Sequence, residues 1–391
     1  MHPPSRLLDA PRRGTRAFAR ALGLVAAIAV GALVGCERRT PEPRHPPPQA
    51  VSADKTAPTP DAHPRPTFRI GVLYWSENIP GQVAMRRGLE AEADAINART
   101  DGPRVTLLPA IAGDGEAGRL RQIEQMKRLL AARPDAIIVQ PTDNDALTPQ
   151  LREANTLGVP VVAFDQYISG GRLDAYITSD NRQAGTLDGE YIAARFPDDH
   201  VLRLVLVEYP RVSSTVERLD GFLAALRERG QPFTILGSYE AVEPQSGRVA
   251  GRQILADFPV RGSVDVVFTV NDGGGLAVVD TLAGAGRDEI LVATIDGDPE
   301  SVANITAGRL TVIDSAQFCG PIGASALRAA LALLTGQAGP IDQMIPTFPV
   351  TRETLTRYPG WMGPLPPSFS KPWDSATPVW SPEPVPVRTT P

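Results

Sequence analysis

Two cysteines and four histidines in 391 residues leave little material for metal or thiol chemistry. The chain has no HExxH, no GxSxG and no CxxC; His2, His45 and His63 precede the first folded pattern, and His200 stands in no recognisable catalytic setting. These absences argue against a zinc hydrolase, a hydrolase with a nucleophile elbow and a dithiol oxidoreductase, and no metal is expected. Charge is not concentrated either. The net charge of -5 comes from a balanced mixture, so no electrostatic footprint for nucleic acid exists. Gly113, Gly115 and Gly118 do form GxGxxG between a strand pattern and a helix pattern. They follow the second strand of the body rather than the first, the nearest strand-end acid, Asp143, belongs to a polar cluster of its own, and Arg119-Leu120 replaces the Lys-Ser/Thr pair of a P-loop. No cofactor is expected.

What is present begins with an address. Arg6, Arg12, Arg13, Arg16 and Arg20 precede an apolar run, Ala21 to Val34, which falls short of the roughly 20 residues of a membrane-spanning helix and fits a secretory signal. The run ends in Leu33-Val34-Gly35-Cys36, which resembles a bacterial lipobox. That resemblance implies a signal peptide over residues 1–35 and a lipid on Cys36; an ordinary signal peptide with an incidental cysteine is the alternative. With Cys36 acylated, Cys319 would be the only remaining thiol, a small packing residue with no disulfide partner. Residues 36–66 are dominated by Pro, Arg, Ala and Thr and read as an extended tether. A second Pro-rich stretch, residues 360–391, carries Trp361, Trp373 and Trp380; it reads either as a loose tail or as a segment whose indoles dock on the folded body.

Between these ends, ten short apolar runs alternate with amphipathic helical patterns. They are Ile70–Tyr74, Val105–Ala110, Ala136–Val139, Val159–Phe164, Ala175–Thr178, Val201–Val207, Phe233–Leu236, Val264–Val270, Ile290–Ile295 and Leu310–Ile313. Alternation of this kind predicts parallel sheets with helices on both faces, and about ten strands divide more comfortably between two α/β lobes than within one sheet. Ligands of open α/β sheets gather at the carboxyl ends of strands. The residues there are polar in both halves: Trp75-Ser76-Glu77-Asn78, Asp165-Gln166, Asn271-Asp272, Asp296-Gly297-Asp298 and Asp314 through Gln317. Carboxylates and amides can engage hydroxyls, and an indole can cover the C–H face of a sugar ring. The same residue types also cap helices, which is the competing reading for Asp180 and Asp143 in particular.

The segments AIIVQPTDNDAL, VPVVAFDQ, AYITSDNRQAG, VVFTVNDGGGLAVVDTLAGAG and ILVATIDGDPESVANITAGRLTVIDSAQ resemble, in order, signature stretches of periplasmic sugar-binding proteins of the ribose/galactose type, relatives of the lactose-repressor core. The resemblance covers roughly residues 68–352. It implies two Rossmann-like lobes joined by a three-crossing hinge, a venus-flytrap, with residues 67–179 and 317–347 in one lobe and 180–316 and 348–359 in the other. It also implies that Asp165 and Asp296 bind ligand hydroxyls, that Asn271 matches the family asparagine and that Gln317 matches the hinge glutamine. The chain departs from that pattern where Gln166 replaces an arginine common in ribose binders, where an aromatic pair is missing near Gly81-Gln82, and where another family arginine falls near Val216 with no cation there. Trp75, with Glu77 or Asn78 beside it, is the candidate substitute for the missing aromatics. An acid-rich pocket of this kind suits a sugar, a polyol or a cationic ligand held by an indole and acids.

The expected protein is a monomeric, lipid-anchored extracytoplasmic receptor for a small polar ligand, most simply a sugar, working with an ABC permease or a membrane sensor. A signalling-only receptor for a non-sugar ligand and a carboxylate-pair hydrolase are the alternatives. A repressor is disfavoured, because an export signal and a proline tether stand where a helix-turn-helix would be.

Overall fold

A computed structural model describes residues 65–337, 339 and 342–385. The expected signal peptide, Cys36 and the tether up to residue 64 lie outside the described residues. The body opens with β1 (Thr67–Tyr74), α1 (Pro80–Ala98), β2 (Arg104–Ile111), α2 (Gly115–Ala131), β3 (Ala136–Val139), α3 (Thr148–Leu157), β4 (Val161–Phe164) and β5 (Ala175–Ser179). It continues with α4 (Asn181–Ala193), β6 (Leu202–Glu208), α5 (Ser213–Glu228), β7 (Phe233–Glu240), α6 (Pro244–Asp257), β8 (Val266–Thr269), α7 (Asp272–Gly284), β9 (Leu291–Asp296), α8 (Pro299–Ala307) and β10 (Thr311–Ala316). The helix α9 (Cys319–Thr335), β11 (Asp342–Ile345) and β12 (Phe348–Val350) follow, and beyond them a short hairpin of β13 (Phe369–Ser370) and β14 (Val379–Trp380).

All ten apolar runs form strands, and they divide between two sheets. The first has the order β11-β5-β4-β3-β1-β2 and is parallel throughout. The second has the order β12-β10-β9-β8-β6-β7 and is parallel except for β12. Every residue of β3, β4 and β8 is buried, as strands covered by helices on both faces must be. The edge strands β11 and β12 go beyond the ten runs. They are four and three residues long and Pro349 interrupts the second, so neither carries an apolar pattern long enough to read.

In each sheet the chain steps outward once and then returns past its first strand, so the order reverses between β1 and β3 and again between β6 and β8. Such reversal leaves a crevice at the carboxyl ends of the strands. The chain passes between the sheets three times, at residues 179–181, 316–319 and 345–348.

Two glycine contacts fix the distance between α4 and α5. A Cβ on Gly185 would collide with the carbonyl oxygen of Arg218, and one on Gly221 with that of Arg182. The close approach carries the Arg218 side chain under the tips of the second sheet. The segment after β12 is docked rather than loose: Trp380 is buried against Phe348 and Phe369, and Trp373 packs on Tyr191.

Candidate ligand-binding site

The strand tips of both sheets converge on one buried cavity of about 20 Å³, room for roughly one water. The first lobe supplies Trp75 after β1, Gln82 and Met85 from α1, and Asp165 and Gln166 after β4; the second supplies Ser214, Thr215 and Arg218 from α5, Asn271 before α7 and Asp296 at the end of β9. Gln317 enters from the second crossing between the sheets.

Arg218 is the only cation among the residues lining the cavity, and it is 3% exposed. Its Nη1 donates to Asp296 Oδ1 at 3.0 Å and to the carbonyl oxygen of Val270 at 2.8 Å, and its Nε donates to Asn181 Oδ1 at 3.0 Å. Gln317 Nε2 donates to the same Asp296 oxygen at 2.6 Å, and Gln317 Oε1 accepts from Ser179 Oγ at 2.8 Å. Asp296 is thus tied both to α5 and to two crossings of the hinge. On the other lobe, Asp165 Oδ2 accepts from Gln140 Nε2 at 3.0 Å. Asp165 Oδ1, Gln166 Oε1 and Gln82 Oε1 are buried with no well-formed hydrogen-bond partner among the described residues. Burial pushes both carboxyls above the usual aspartate range, and the Arg218 guanidinium pulls both back.

Both aspartates sit on left-handed backbone, with φ of 68° at Asp165 and 139° at Asp296. Non-glycine residues hold such conformations at a cost of about 1–3 kcal/mol each, so surrounding bonds must fix them. At Asp165 the carbonyl accepts from Thr178 Oγ1 at 2.8 Å and Tyr176 Oη at 3.2 Å. At Asp296 the carbonyl accepts from the Gln317 backbone N–H at 2.9 Å.

The lobes meet directly around the cavity. Gln166 Nε2 donates to Ser214 Oγ at 3.3 Å, the Tyr167 N–H to Ser213 Oγ at 3.4 Å and the Ser213 N–H to Asn144 Oδ1 at 3.1 Å. Trp75 is 2% exposed and packs with Ile79 on Val212 and Val242 of the opposite lobe, its ring 6.1 Å from that of Tyr209. Its indole separates the inner cavity from an outer groove of about 450 Å³ between the lobes, where Asn78, Asp114 and Glu243 stand.

The family model described as periplasmic binding protein domain matches residues 70–338. The chain belongs to this family. It is 25% identical to the ribose import binding protein RbsB of Escherichia coli, over 73% of this chain and 92% of that protein. It is 27% identical to a putative rhizopine-binding protein of Rhizobium meliloti, over 61% of this chain and 79% of that one. Among solved structures, the Caulobacter myo-inositol binding protein bound to myo-inositol superposes with a TM-score of 0.65 at 25% identity, over 75% of this chain and 96% of that chain.

Of the residues singled out in the sequence, this periplasmic binding protein brings Trp75, Asp165, Gln166, Asn271, Asp296 and Gln317 to the cavity. Asn271 also caps α7, its Oδ1 accepting from the Gly274 N–H at 3.2 Å and its Nδ2 donating to the Val242 carbonyl at 2.9 Å. Two residues are not brought in. Asn78 donates to Asp114 Oδ2 at 2.7 Å and lines the outer groove only. Glu77 points to solvent with its side chain 67% exposed, 4.0 Å from Arg86, because Ser76 Oγ accepts from the N–H groups of Asn78 and Ile79 and turns the loop outward there. The missing cation is the larger correction: no cation stands at Val216, but Arg218, two positions on, enters the cavity. Helical spacing gives the signal that was overlooked, since Ser214 and Arg218 are four residues apart on one face of α5 while Val216 faces outward and is 40% exposed. Asp180 caps α4, accepting from the Gln183 N–H, and Asp143 closes the turn after β3, accepting from the N–H groups of Asp145 and Ala146.

Behind Asp296 lies a second set of carboxyls. Asp272 accepts from Thr294 Oγ1 and the Asp298 N–H, each at 2.8 Å, Asp314 from the Gly297 N–H at 2.8 Å, and Asp188 from Ser315 Oγ at 2.6 Å. Burial raises Asp188 and Asp272 well above the usual range and pushes Asp314 up to about 8. The folded chain therefore holds a proton on the Asp272–Asp314 carboxyl pair that the unfolded chain releases near pH 4. The stability this proton supports is complete below about pH 4 and is lost as pH rises towards 8, with a slope of about 1.4 kcal/mol per pH unit for each proton held. Asp314→Asn should flatten that decline, measured by urea unfolding at a series of pH values from 4 to 8; an unchanged slope would place the retained proton elsewhere.

Proposed function

We propose that the protein is an extracytoplasmic receptor that closes its two lobes on a polyhydroxylated ligand, a sugar or polyol, and presents the closed form to an ABC-type permease or a membrane sensor. The observation that carries this reading is the set of buried oxygens on cavity-lining residues of the first lobe, Asp165 Oδ1, Gln166 Oε1 and Gln82 Oε1, none of which meets a well-formed hydrogen-bond partner among the described residues. Buried acceptors without donors are unfavourable, and a ring bearing several hydroxyls supplies donors at the spacing of neighbouring carbons. The names of the relatives support the same class, since ribose and myo-inositol are both small hydroxyl-rich rings. Arg218 and Gln317, both donating to Asp296, favour a fixed acceptor there over a proton-transferring acid, so the proposal is of binding without turnover.

The cavity as it stands is smaller than such a ring, so binding includes opening and reclosure of the lobes. Ligand binding should raise the melting temperature with ligand concentration by mass action. Asp165 is the cleaner residue to test, because removing Asp296 alone would strand the buried Arg218 charge at a cost of about 3–5 kcal/mol in stability. Asp165→Asn keeps a residue type that tolerates left-handed backbone. In calorimetric titrations with a panel including D-ribose, D-allose and myo-inositol, it should weaken the ligand found for the wild type by about 1.5–3 kcal/mol. Wild-type affinity in Asp165→Asn would remove this aspartate from the site, and a panel of sugars and polyols that leaves the wild type unshifted would remove the ligand class.

Attachment to a bacterial membrane through Cys36 completes the proposal. Among the described residues no helix is long and apolar enough to cross a membrane, and the proposal assigns retention to the acylated cysteine. Cys36→Ser should move the protein out of the membrane fraction or leave it as unprocessed precursor; a mature wild-type chain whose intact mass carries no lipid increment would contradict the anchor.

A further inference from the structure

The segment after β12 belongs to neither sheet, yet it is fastened to both lobes. On the first lobe, the Gly320 N–H at the start of α9 donates to the Trp361 carbonyl at 3.0 Å, and Val385 pairs with Met344 at the edge strand β11 through bonds of 2.9 and 3.0 Å. On the second lobe, Lys371 Nζ donates to Glu190 Oε2 of α4 at 2.8 Å, an ion pair whose side chains are 1% and 3% exposed, and Ser375 Oγ donates to the same oxygen at 2.6 Å. Between these attachments the segment grips the hinge itself. Trp380 Nε1 donates to the carbonyl of Thr347, in the third crossing, at 2.6 Å, and its ring stands edge-on to Phe348 at 5.3 Å. The Thr347 N–H donates in turn to Gln183 Oε1 of α4 at 2.8 Å, so this fully buried crossing residue has both backbone groups held.

Lobes that swing apart do so by torsion in a few residues of the crossings. Here one crossing is bonded on both sides, and a continuous stretch from Trp361 to Val385 links one lobe to the other while the cleft is closed. The matched family domain ends at residue 338, so this stretch lies beyond it. We propose that residues 361–385 form a strap that holds the hinge in its closed setting and biases the ligand-free chain towards closure. The strap acts on the population of the closed form, which raises the apparent affinity for any ligand that binds it. It does not depend on what the cleft binds.

Backbone amides that donate across the cleft report its opening without labels or ligand. The Asn144 N–H donates to the Arg211 carbonyl at 3.2 Å, and the Ser213 and Tyr167 N–H groups reach the opposite lobe as described. Hydrogen exchange by mass spectrometry on the ligand-free full chain would compare the wild type with Trp380→Phe, which keeps an aromatic ring, smaller than the indole, and removes the N–H. A second variant, Glu190→Gln with Lys371→Met, removes the buried ion pair without stranding a charge. Each variant should speed exchange of the peptides carrying Asn144, Tyr167 and Ser213 by about fivefold or more, the change in opening equilibrium that follows from losing an ordinary hydrogen bond. Exchange in the central strands β3 and β8 should stay at the wild-type rate. Unchanged exchange at the cleft amides, with faster exchange confined to the strap, would overturn the proposal. So would an equal acceleration of β3 and β8, which would reduce the strap to a contributor to global stability.

Discussion

The buried pair of Arg218 and Asp296 sets the arrangement on which the cleft depends. A guanidinium and a carboxylate out of contact with water are tolerable only where their remaining hydrogen-bonding capacity is met. Asn181, the Val270 carbonyl and Gln317 meet most of it, and each comes from a different part of the second lobe or its hinge. The demand explains several otherwise separate features. The glycines at 185 and 221 let α4 and α5 approach closely enough for Arg218 to reach the strand tips. The left-handed backbone of Asp296 aims its carboxylate back towards α5. Gln317 carries the constraint across the hinge to Ser179, at the end of β5.

The cavity that results is unequal in its two halves. The second lobe brings an acid already neutralised by its own arginine. The first lobe brings Asp165 with one oxygen bonded to Gln140 and the other without a well-formed partner among the described residues, beside the neutral Gln166. A ligand that donates several hydrogen bonds to the first lobe and accepts few fits this asymmetry better than an acidic sugar would. Trp75 closes the cavity on its outer side, wedged against Val212 and Val242 and so placed to sense whether the lobes are together.

Much of this was legible in the sequence, for physical reasons that also mark where reading stopped. Strands buried on both faces, such as β3, β4 and β8, become unbroken apolar runs, and the eight-residue edge strands β2 and β7 still left β-rich runs; β11 and β12 did not, because such short edge strands bury too little to leave a pattern. Asp165, Asn271, Asp296 and Gln317 were legible because the carboxyl end of a buried strand is a definite place in a sequence. Arg218 was not, since it reaches the cavity from the side of a helix, where a shift of two residues changes the face. Glu77 and Asn78 lie off the inner cavity for a related cause: loop polarity says that a residue is near a strand tip but not which way the turn around Ser76 directs it. The docking of the tail could be posed but not decided, because a proline-rich stretch with indoles looks the same whether its rings find a surface or not.

The central claim is that the cleft retains a hydroxyl-rich small molecule without altering it. The most direct measurement is native mass spectrometry of gently purified full-length protein, followed by identification of whatever is released on denaturation. The account predicts a single neutral polyhydroxylated molecule per chain, recovered unchanged after prolonged incubation with the protein. Protein that neither retains such a molecule nor takes one up from a mixture of sugars and polyols, or that converts the molecule it binds, would contradict it.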